Sequence, residues 1–111
     1  MRELTVTIDD KEEKFTNKNK DRCRAACRAR LESLTDAQLV GVQIDTDYKE
    51  HRRIVTSDQQ VKDYGAEFKL EQPWGVEVNI NGGGEIEECA TRQDAIDFFM
   101  CCVEEKGEHW D

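Results

Sequence analysis

The sequence is poor in apolar residues and in proline. Apolar residues make up 37% of the 111 positions, and proline occurs once. No apolar run approaches the roughly 18 residues that a membrane span requires, and no apolar core of an export signal follows Met1. No proline-rich or low-complexity stretch offers a linker. The sequence therefore predicts one cytoplasmic domain over residues 1–111, with 108–111 as a tail.

Disulfide and metal chemistry have little support. The five cysteines are an odd number in a chain without an export signal, which favours reduced thiols. We expect them mainly as small core residues: Cys23, Cys27, Cys89, Cys101 and Cys102. Zinc bound by four of Cys23, Cys27, Cys101, Cys102 and His109 is the alternative, but a Cys-x₃-Cys spacing inside a helix does not match short zinc knuckles. We predict no metal and no cofactor.

Catalytic motifs are also missing. The only imidazole bases are His51 and His109, and neither Gly-x-Ser-x-Gly nor His-Glu-x-x-His occurs. The glycines 82–84 precede a predicted strand rather than a helix, so they do not form a phosphate loop. We predict no catalytic residues. A small cytosolic enzyme that uses the cysteines as nucleophiles or metal ligands is the alternative.

Alternating and helical periodicities organise the first part of the chain. Residues 1–10 alternate as a half-buried strand, with a turn at 9–12 and a returning segment at 13–16. A helix is then predicted from a cap at Thr16 or Asn17 to about Leu34. Its apolar stripe consists of Cys23, Ala26, Cys27, Arg30 or Leu31, and Leu34.

The middle of the chain gives two competing signals. Thr35-x-x-Gln38 is typical of a capping box and a short helical turn, whereas alternation favours a strand at 39–46. We favour the strand, followed by a loop at 47–50 and a strand at 52–56. A second capping box at Ser57 predicts a short helix that ends at Gly65.

The last third predicts a three-stranded meander and a helix. The strands cover 67–71, 76–80 and 85–89, joined by a type I turn at 72–75 with Trp74 at its tip and by a turn at 81–84. Thr91 begins the last helix, which ends at 106–107 and buries Ala95, Ile96, Phe99, Cys102 and Val103. Hairpins between helices predict an α+β fold: a mostly antiparallel sheet, hairpin plus meander, with two main helices packed on one face.

Charge is distributed unevenly. The net charge is −9. Residues 1–53 hold 12 of the 16 cations against 11 acids, a balance of +1, while 54–111 hold four cations against 14 acids, a balance of −10. Such asymmetry indicates an interaction face.

Two charged surfaces follow from the predicted elements. Strand periodicity places five glutamates on the solvent side of the meander as an acidic partner-binding surface: Glu67, Glu71, Glu77, Glu85 and Glu87. Trp74, at the predicted turn tip, is the candidate interface anchor. Arg22, Arg24 and Arg28 on the first helix form a secondary basic patch, for which a solvated helix face is the simpler interpretation.

The composition as a whole is similar to that of phage-encoded inhibitors of host nucleic-acid machinery, including anti-CRISPR and anti-restriction proteins. Residues 4–16 also resemble the first hairpin of phage tail-assembly chaperones, from which nothing is carried over. We predict a non-enzymatic phage-type inhibitor whose acidic C-terminal half binds the basic, nucleic-acid-binding surface of a target protein, with no direct contact to nucleic acid or membrane. A structural or assembly-chaperone subunit, including one that forms a homodimer, is the other alternative.

Overall fold

The computed structural model describes residues 2–45, 50–80 and 83–101, and the backbone of 106–107. The strands are β1 (Arg2–Ile8), β2 (Lys11–Asn17), β3 (Gln43–Asp45), β4 (Glu50–Thr56), β5 (Trp74–Ile80), β6 (Gly83–Cys89) and β7 (Lys106–Gly107). The helices are α1 (Lys20–Ser33), α2 (Asp36–Leu39), α3 (Ser57–Tyr64) and α4 (Arg92–Met100), and a 3₁₀ turn covers Ala66–Phe68.

One antiparallel sheet runs through the molecule in the strand order β2-β1-β3-β4-β5-β6. Strand β7 pairs with the start of β1, at Arg2 and Glu3, while β3 pairs with β1 at Val6 and Thr7. The fold is therefore the predicted small α+β domain with a mostly antiparallel sheet.

The core lies between one face of this sheet and the helices α1 and α4, which contact each other. The sheet contributes residues such as Val6, Ile54 and Val76, each fully buried. We call this the helix-side face. Burial of Cys23, Cys27 and Leu31 at four-residue spacing confirms the stripe on α1, although Ala26 is exposed and does not belong to it. Two main helices on one face are confirmed.

The first hairpin is tighter than predicted. Asp9 and Asp10 both have positive φ, 50° and 64°, so a two-residue turn joins β1 to a β2 that already starts at Lys11. Because β2 continues to Asn17, the helix starts later than predicted. Its N-cap is Asn19, whose side chain accepts a hydrogen bond from the Arg22 amide at 3.0 Å.

The predicted strand at 39–46 is wrong in its first half. The capping box between Thr35 and Gln38 forms and starts α2, so Leu39 ends a helix, and only Gln43–Asp45 pairs as a strand. The second capping box, predicted at Ser57, is wrong, because Thr56 caps α3 by accepting from the Gln59 amide. Ser57 instead bonds the Leu70 backbone, and its Oγ accepts from the Leu70 amide at 3.0 Å.

The predicted strand at 67–71 does not exist. Residues Ala66–Phe68 form a 3₁₀ turn after Gly65, whose φ of 114° suits glycine. The predicted type I turn at 72–75 is also wrong, since Trp74 and Gly75 already belong to β5. The meander nevertheless forms, with β4 in place of the missing strand: β4 pairs with β5 and β5 with β6.

The last helix begins at Thr91 as predicted but ends earlier. Cys101 is its C-cap, and Lys106–Gly107 belong to β7 rather than to the helix end. Burial of Ala95, Ile96 and Phe99 confirms the predicted apolar side. The expectations for the loop at 47–49, the turn at 81–82, the side chains of Cys102 and Val103 and the tail at 108–111 lie outside the described residues.

Arginines hold the C-terminal ends of the two main helices. Arg92, at the start of α4, donates to the Leu31, Glu32 and Leu34 carbonyls at the end of α1. In return, Arg24 from α1 donates to the Met100 carbonyl at the end of α4. Such cations satisfy carbonyls that lack a partner within the helix and oppose the negative end of its dipole.

Candidate interaction surfaces

The five predicted acidic residues do not share one face. The register of the meander places Glu87 opposite Val76 and Glu85 opposite Val78, so both glutamates are on the helix-side face, at its exposed margin. Glu77 pairs instead with Ile86 and Arg53, on the opposite face. Side chains of directly paired residues point to the same side of a sheet. The predicted single acidic surface is therefore wrong, because Glu85 and Glu87 of β6 lie on the face opposite to the one predicted for them.

The other two glutamates are not on strands at all. Glu67 is exposed on the 3₁₀ turn, and Glu71 is exposed in the segment before β5. This segment is fixed to β6 by Glu88, whose Oε1 accepts from the Glu71 and Gln72 amides at 2.6 and 2.9 Å. Glu88 is thus a structural carboxylate of this surface, a role that the sequence analysis did not assign to it.

Trp74 is not at a turn tip. It is paired with Thr56 and Cys89 in the sheet, is only partly exposed, and packs against the core. An indole held in this way is a core-edge residue rather than a projecting anchor. The prediction of Trp74 as an exposed aromatic at a turn is wrong for this reason.

The predicted basic patch is largely used within the fold. Arg22 is exposed, but Arg24 reaches the end of α4 and Arg28 forms an ion pair with Asp97 of the same helix. Gln93 and Arg28 both donate to Asp97 and hold the pKa of its carboxyl below the usual value. Two of the three predicted cations therefore join the main helices to each other.

An exposed aromatic pair that the sequence analysis missed lies on the other face of the sheet. Tyr64 is 52% exposed and Phe68 is 49% exposed, and their ring centroids are 5.6 Å apart. The glycine stop at Gly65 brings the end of α3 and the 3₁₀ turn together and so pairs the rings. The only sequence signal was this spacing of two aromatics around a glycine, which the predicted strand at 67–71 concealed.

The aromatic pair borders a groove of about 270 Å³ over β5 and β6. Gln60, Tyr64 and Phe68 line one wall, and Glu77, Asn79 and Ile86 lie along the sheet. Glu77 accepts from Arg53 at 3.4 Å and from Asn79 at 3.1 Å, so its carboxylate is oriented. We call the surface formed by Tyr64, Glu67, Phe68, Glu77 and Ile86 the aromatic–acidic face. It combines apolar contact area with negative charge.

Most of the cysteines that the structure describes are buried. Cys23, Cys27 and Cys89 are buried, whereas Cys101 is exposed and is not a core residue. Burial raises the pKa of Cys27 to about 12, so this thiol is protonated at neutral pH. Among the described residues no group of three or more His, Cys, Asp and Glu side chains is arranged to hold a metal ion. Cys102 and His109 are outside those residues.

Comparison with protein-family models, curated proteins and solved structures finds no match. Among the described helices, none has the length and apolar character needed to cross a membrane. A functional proposal therefore rests on the side chains and the fold alone.

Proposed function

We propose that this chain is a non-enzymatic protein-binding module that attaches to the basic surface of a partner. One observation carries the proposal: two mutually contacting aromatic rings, each about half exposed, lie beside the exposed Glu67 and the oriented, partly buried Glu77 on the aromatic–acidic face. Large aromatics supply much of the binding energy at protein interfaces. Glutamates around them favour association with a positively charged partner.

The charge balance of this region supports the same proposal. Within the described residues, no ion pair involves Glu67, Glu71, Glu85 or Glu87. These carboxylates keep their full charge toward solvent, and a cationic partner would neutralise them. The partner-binding residues are then Glu67, Glu71 and Glu77 on one side and Glu85 and Glu87 along β6, with Tyr64 and Phe68 replacing Trp74 as anchors.

The proposed partner is a nucleic-acid-binding protein, and the proposed role is inhibition of the phage or mobile-element type, as in anti-CRISPR and anti-restriction proteins. The net charge of −9 and the compositional resemblance to such inhibitors support this role. Phosphate backbones are repelled by an acidic surface, whereas the basic groove that normally holds them is attracted. Inhibition would take place in the cytoplasm of the host cell.

The test is capture followed by titration. The immobilised protein is used to capture a partner from a bacterial lysate, and the purified partner is titrated at low and high salt. Binding is expected to weaken as salt rises, because exposed charges are screened over about 8–10 Å. Glu67→Lys with Glu71→Lys is expected to slow association, whereas Phe68→Ala is expected to accelerate dissociation, since anchors act on the dissociation rate.

Arg22→Glu with Lys18→Glu is the matched control on α1 and its preceding loop, and it is expected to change binding little. If binding is independent of salt and insensitive to the paired glutamate reversal, the aromatic–acidic face is not the interface. If the α1 control abolishes binding, the basic side of the molecule is the interface instead.

A further inference from the structure

The outer edge of the sheet at β6 is open. Strand β6 pairs with β5 over seven residues, and among the described residues no strand pairs with its other side. The backbone amides and carbonyls on that side are therefore available to a further strand. Proteins usually protect such an edge, because it invites pairing with another chain.

The side chains along β6 determine which strands the edge would accept. Glu85 and Glu87 lie on the helix-side face at exposed positions, and Ile86 lies between them on the opposite face. Since side chains alternate along a strand, an added strand would place every second residue beside the two glutamates and the intervening residue beside Ile86.

A second copy of the chain does not suit this edge. Antiparallel pairing of two β6 strands centred on Ile86 would place Glu85 of each copy opposite Glu87 of the other. Like charges directly opposite each other destabilise strand pairing. Cationic side chains at the same positions would instead form favourable cross-strand pairs.

The position opposite Ile86 also has a defined chemistry. Ile86 lines the groove that Tyr64 and Phe68 border, so a side chain added next to it enters an apolar environment. An apolar residue there would extend the buried area toward the aromatic pair, which favours it at this position.

We propose that β6 binds an extended segment of the partner as an additional strand, and that this segment carries the pattern cation–apolar–cation. The two cations lie beside Glu85 and Glu87, and the apolar residue lies beside Ile86. Main-chain hydrogen bonds supply affinity and the alternating side chains supply specificity, as in other cases of strand addition. This inference rests on the proposed function, whose partner it describes in more detail.

The test uses synthetic peptides as probes. A seven-residue peptide of alternating lysine and valine, which matches β6 in length, is titrated into the full chain. It is expected to bind and to slow amide hydrogen exchange in β6. A peptide of the same composition with its lysines grouped is expected to bind about tenfold more weakly, because it cannot place cations and apolar residues on opposite faces.

Two further comparisons separate strand addition from simple charge attraction. Glu85→Lys with Glu87→Lys is expected to weaken peptide binding about tenfold or more. The control Glu12→Lys with Asp58→Lys changes the net charge equally at exposed positions away from β6 and is expected to have a much smaller effect. Peptides N-methylated at the alternate amides that would donate to β6 are expected to lose binding. Peptides N-methylated at the other amides, which point away from β6, are expected to keep it.

No binding by the alternating peptide at low salt would overturn the inference. Equal binding of the two N-methylated peptides, or equal effects of the β6 and control reversals, would also overturn it. The proposed function would survive these results if the captured partner still depended on Phe68, Glu67 and Glu71. Conversely, peptide binding without any effect of those residues on the captured partner would contradict the proposed function alone.

Discussion

Arg52 provides the most demanding test of how this fold is held together. Its side chain is only 9% exposed, yet it carries a full charge. The guanidinium donates to the Phe98, Phe99 and Cys101 carbonyls at the end of α4, at 3.0 and 3.2 Å for the first two. Its Nε donates to Glu50 at 2.9 Å. Since α4 has no basic residue in its own last turn, Arg52 and Arg24 supply the cations that this helix end lacks.

Arg52→Met retains most of the buried stem and removes the charge and the donors. The carbonyls at the end of α4 then lose the hydrogen-bond donor that β4 supplies. The Glu50 carboxylate, whose side chain is 18% exposed, remains without its cation. Removing one partner of a buried ion pair costs about 3–5 kcal/mol. For a domain of this size with an m-value of about 2 kcal/mol/M, that loss lowers the urea midpoint by about 2 M. Equilibrium unfolding in urea, followed by circular dichroism, measures it.

Three variants show whether the loss has this origin. Arg52→Lys keeps the charge but not the planar set of donors, so its stability is expected to lie between those of the parent and Arg52→Met. Adding Glu50→Gln to Arg52→Met is expected to recover part of the loss, because the unpaired carboxylate is removed. Arg22→Met, at an exposed position, is expected to stay within about 0.5 kcal/mol of the parent. An Arg52→Met protein within that same range would refute the reasoning.

Two other predictions concern the core and the acid side of the stability profile. Phe99 is fully buried on the core side of α4, so Phe99→Ala is expected to cost about 3–5 kcal/mol in the same urea unfolding; a parental midpoint would contradict its placement in the core. Hydrogen bonds from Arg30 at 2.9 and 3.1 Å lower the pKa of Glu13. A carboxyl whose pKa is lowered by folding stabilises the fold at pH values above the pKa that it has in the unfolded chain. This contribution is lost as the pH falls, so the stability of the parent is expected to decrease below about pH 4.5. Arg30→Met is expected to flatten this dependence, and an unchanged profile would show that Glu13 contributes nothing to it.

Local signals in the sequence predicted most helices and several strands, because the determining interactions are local there. The stripe on α1 repeats every four residues, and the Thr35 and Thr91 caps bond amides three residues away. The predicted strand at 67–71 was wrong because apolar residues two positions apart, such as Phe68 and Leu70, also occur in an irregular segment that is fixed by side chains of other elements. Ser57 and Glu88 hold that segment by bonding the backbone of Leu70, Glu71 and Gln72.

The decisive error for the candidate site was the assignment of the side chains of β6 to the two faces of the sheet. This strand contains two apolar residues, Ile86 and Cys89, and they lie on opposite faces because they are three positions apart. The prediction placed Glu85 and Glu87 on the solvent side, which puts Ile86 on the core side. In the structure Cys89 joins the core, and Ile86 faces α3 and the aromatic pair. The face of the sheet opposite the helix-side face is partly covered by α3 and the 3₁₀ turn. The sequence of β6 alone cannot predict this cover, since it depends on where those two elements pack.

The arginines explain why the charge division in the sequence differs from the charge that a partner meets. Arg28, Arg30, Arg53 and Arg92 form ion pairs with Asp97, Glu13, Glu77 and Asp36, and Arg24 and Arg52 bond helix-end carbonyls. Planar guanidinium groups suit such multiple contacts better than lysine does. All of these arginines except Arg92 belong to residues 1–53, so the N-terminal half uses much of its positive charge inside the fold, partly on acids of the other half. Glu85 and Glu87 form no ion pair among the described residues, so their negative charge faces outward along β6, one of the two outer strands of the sheet.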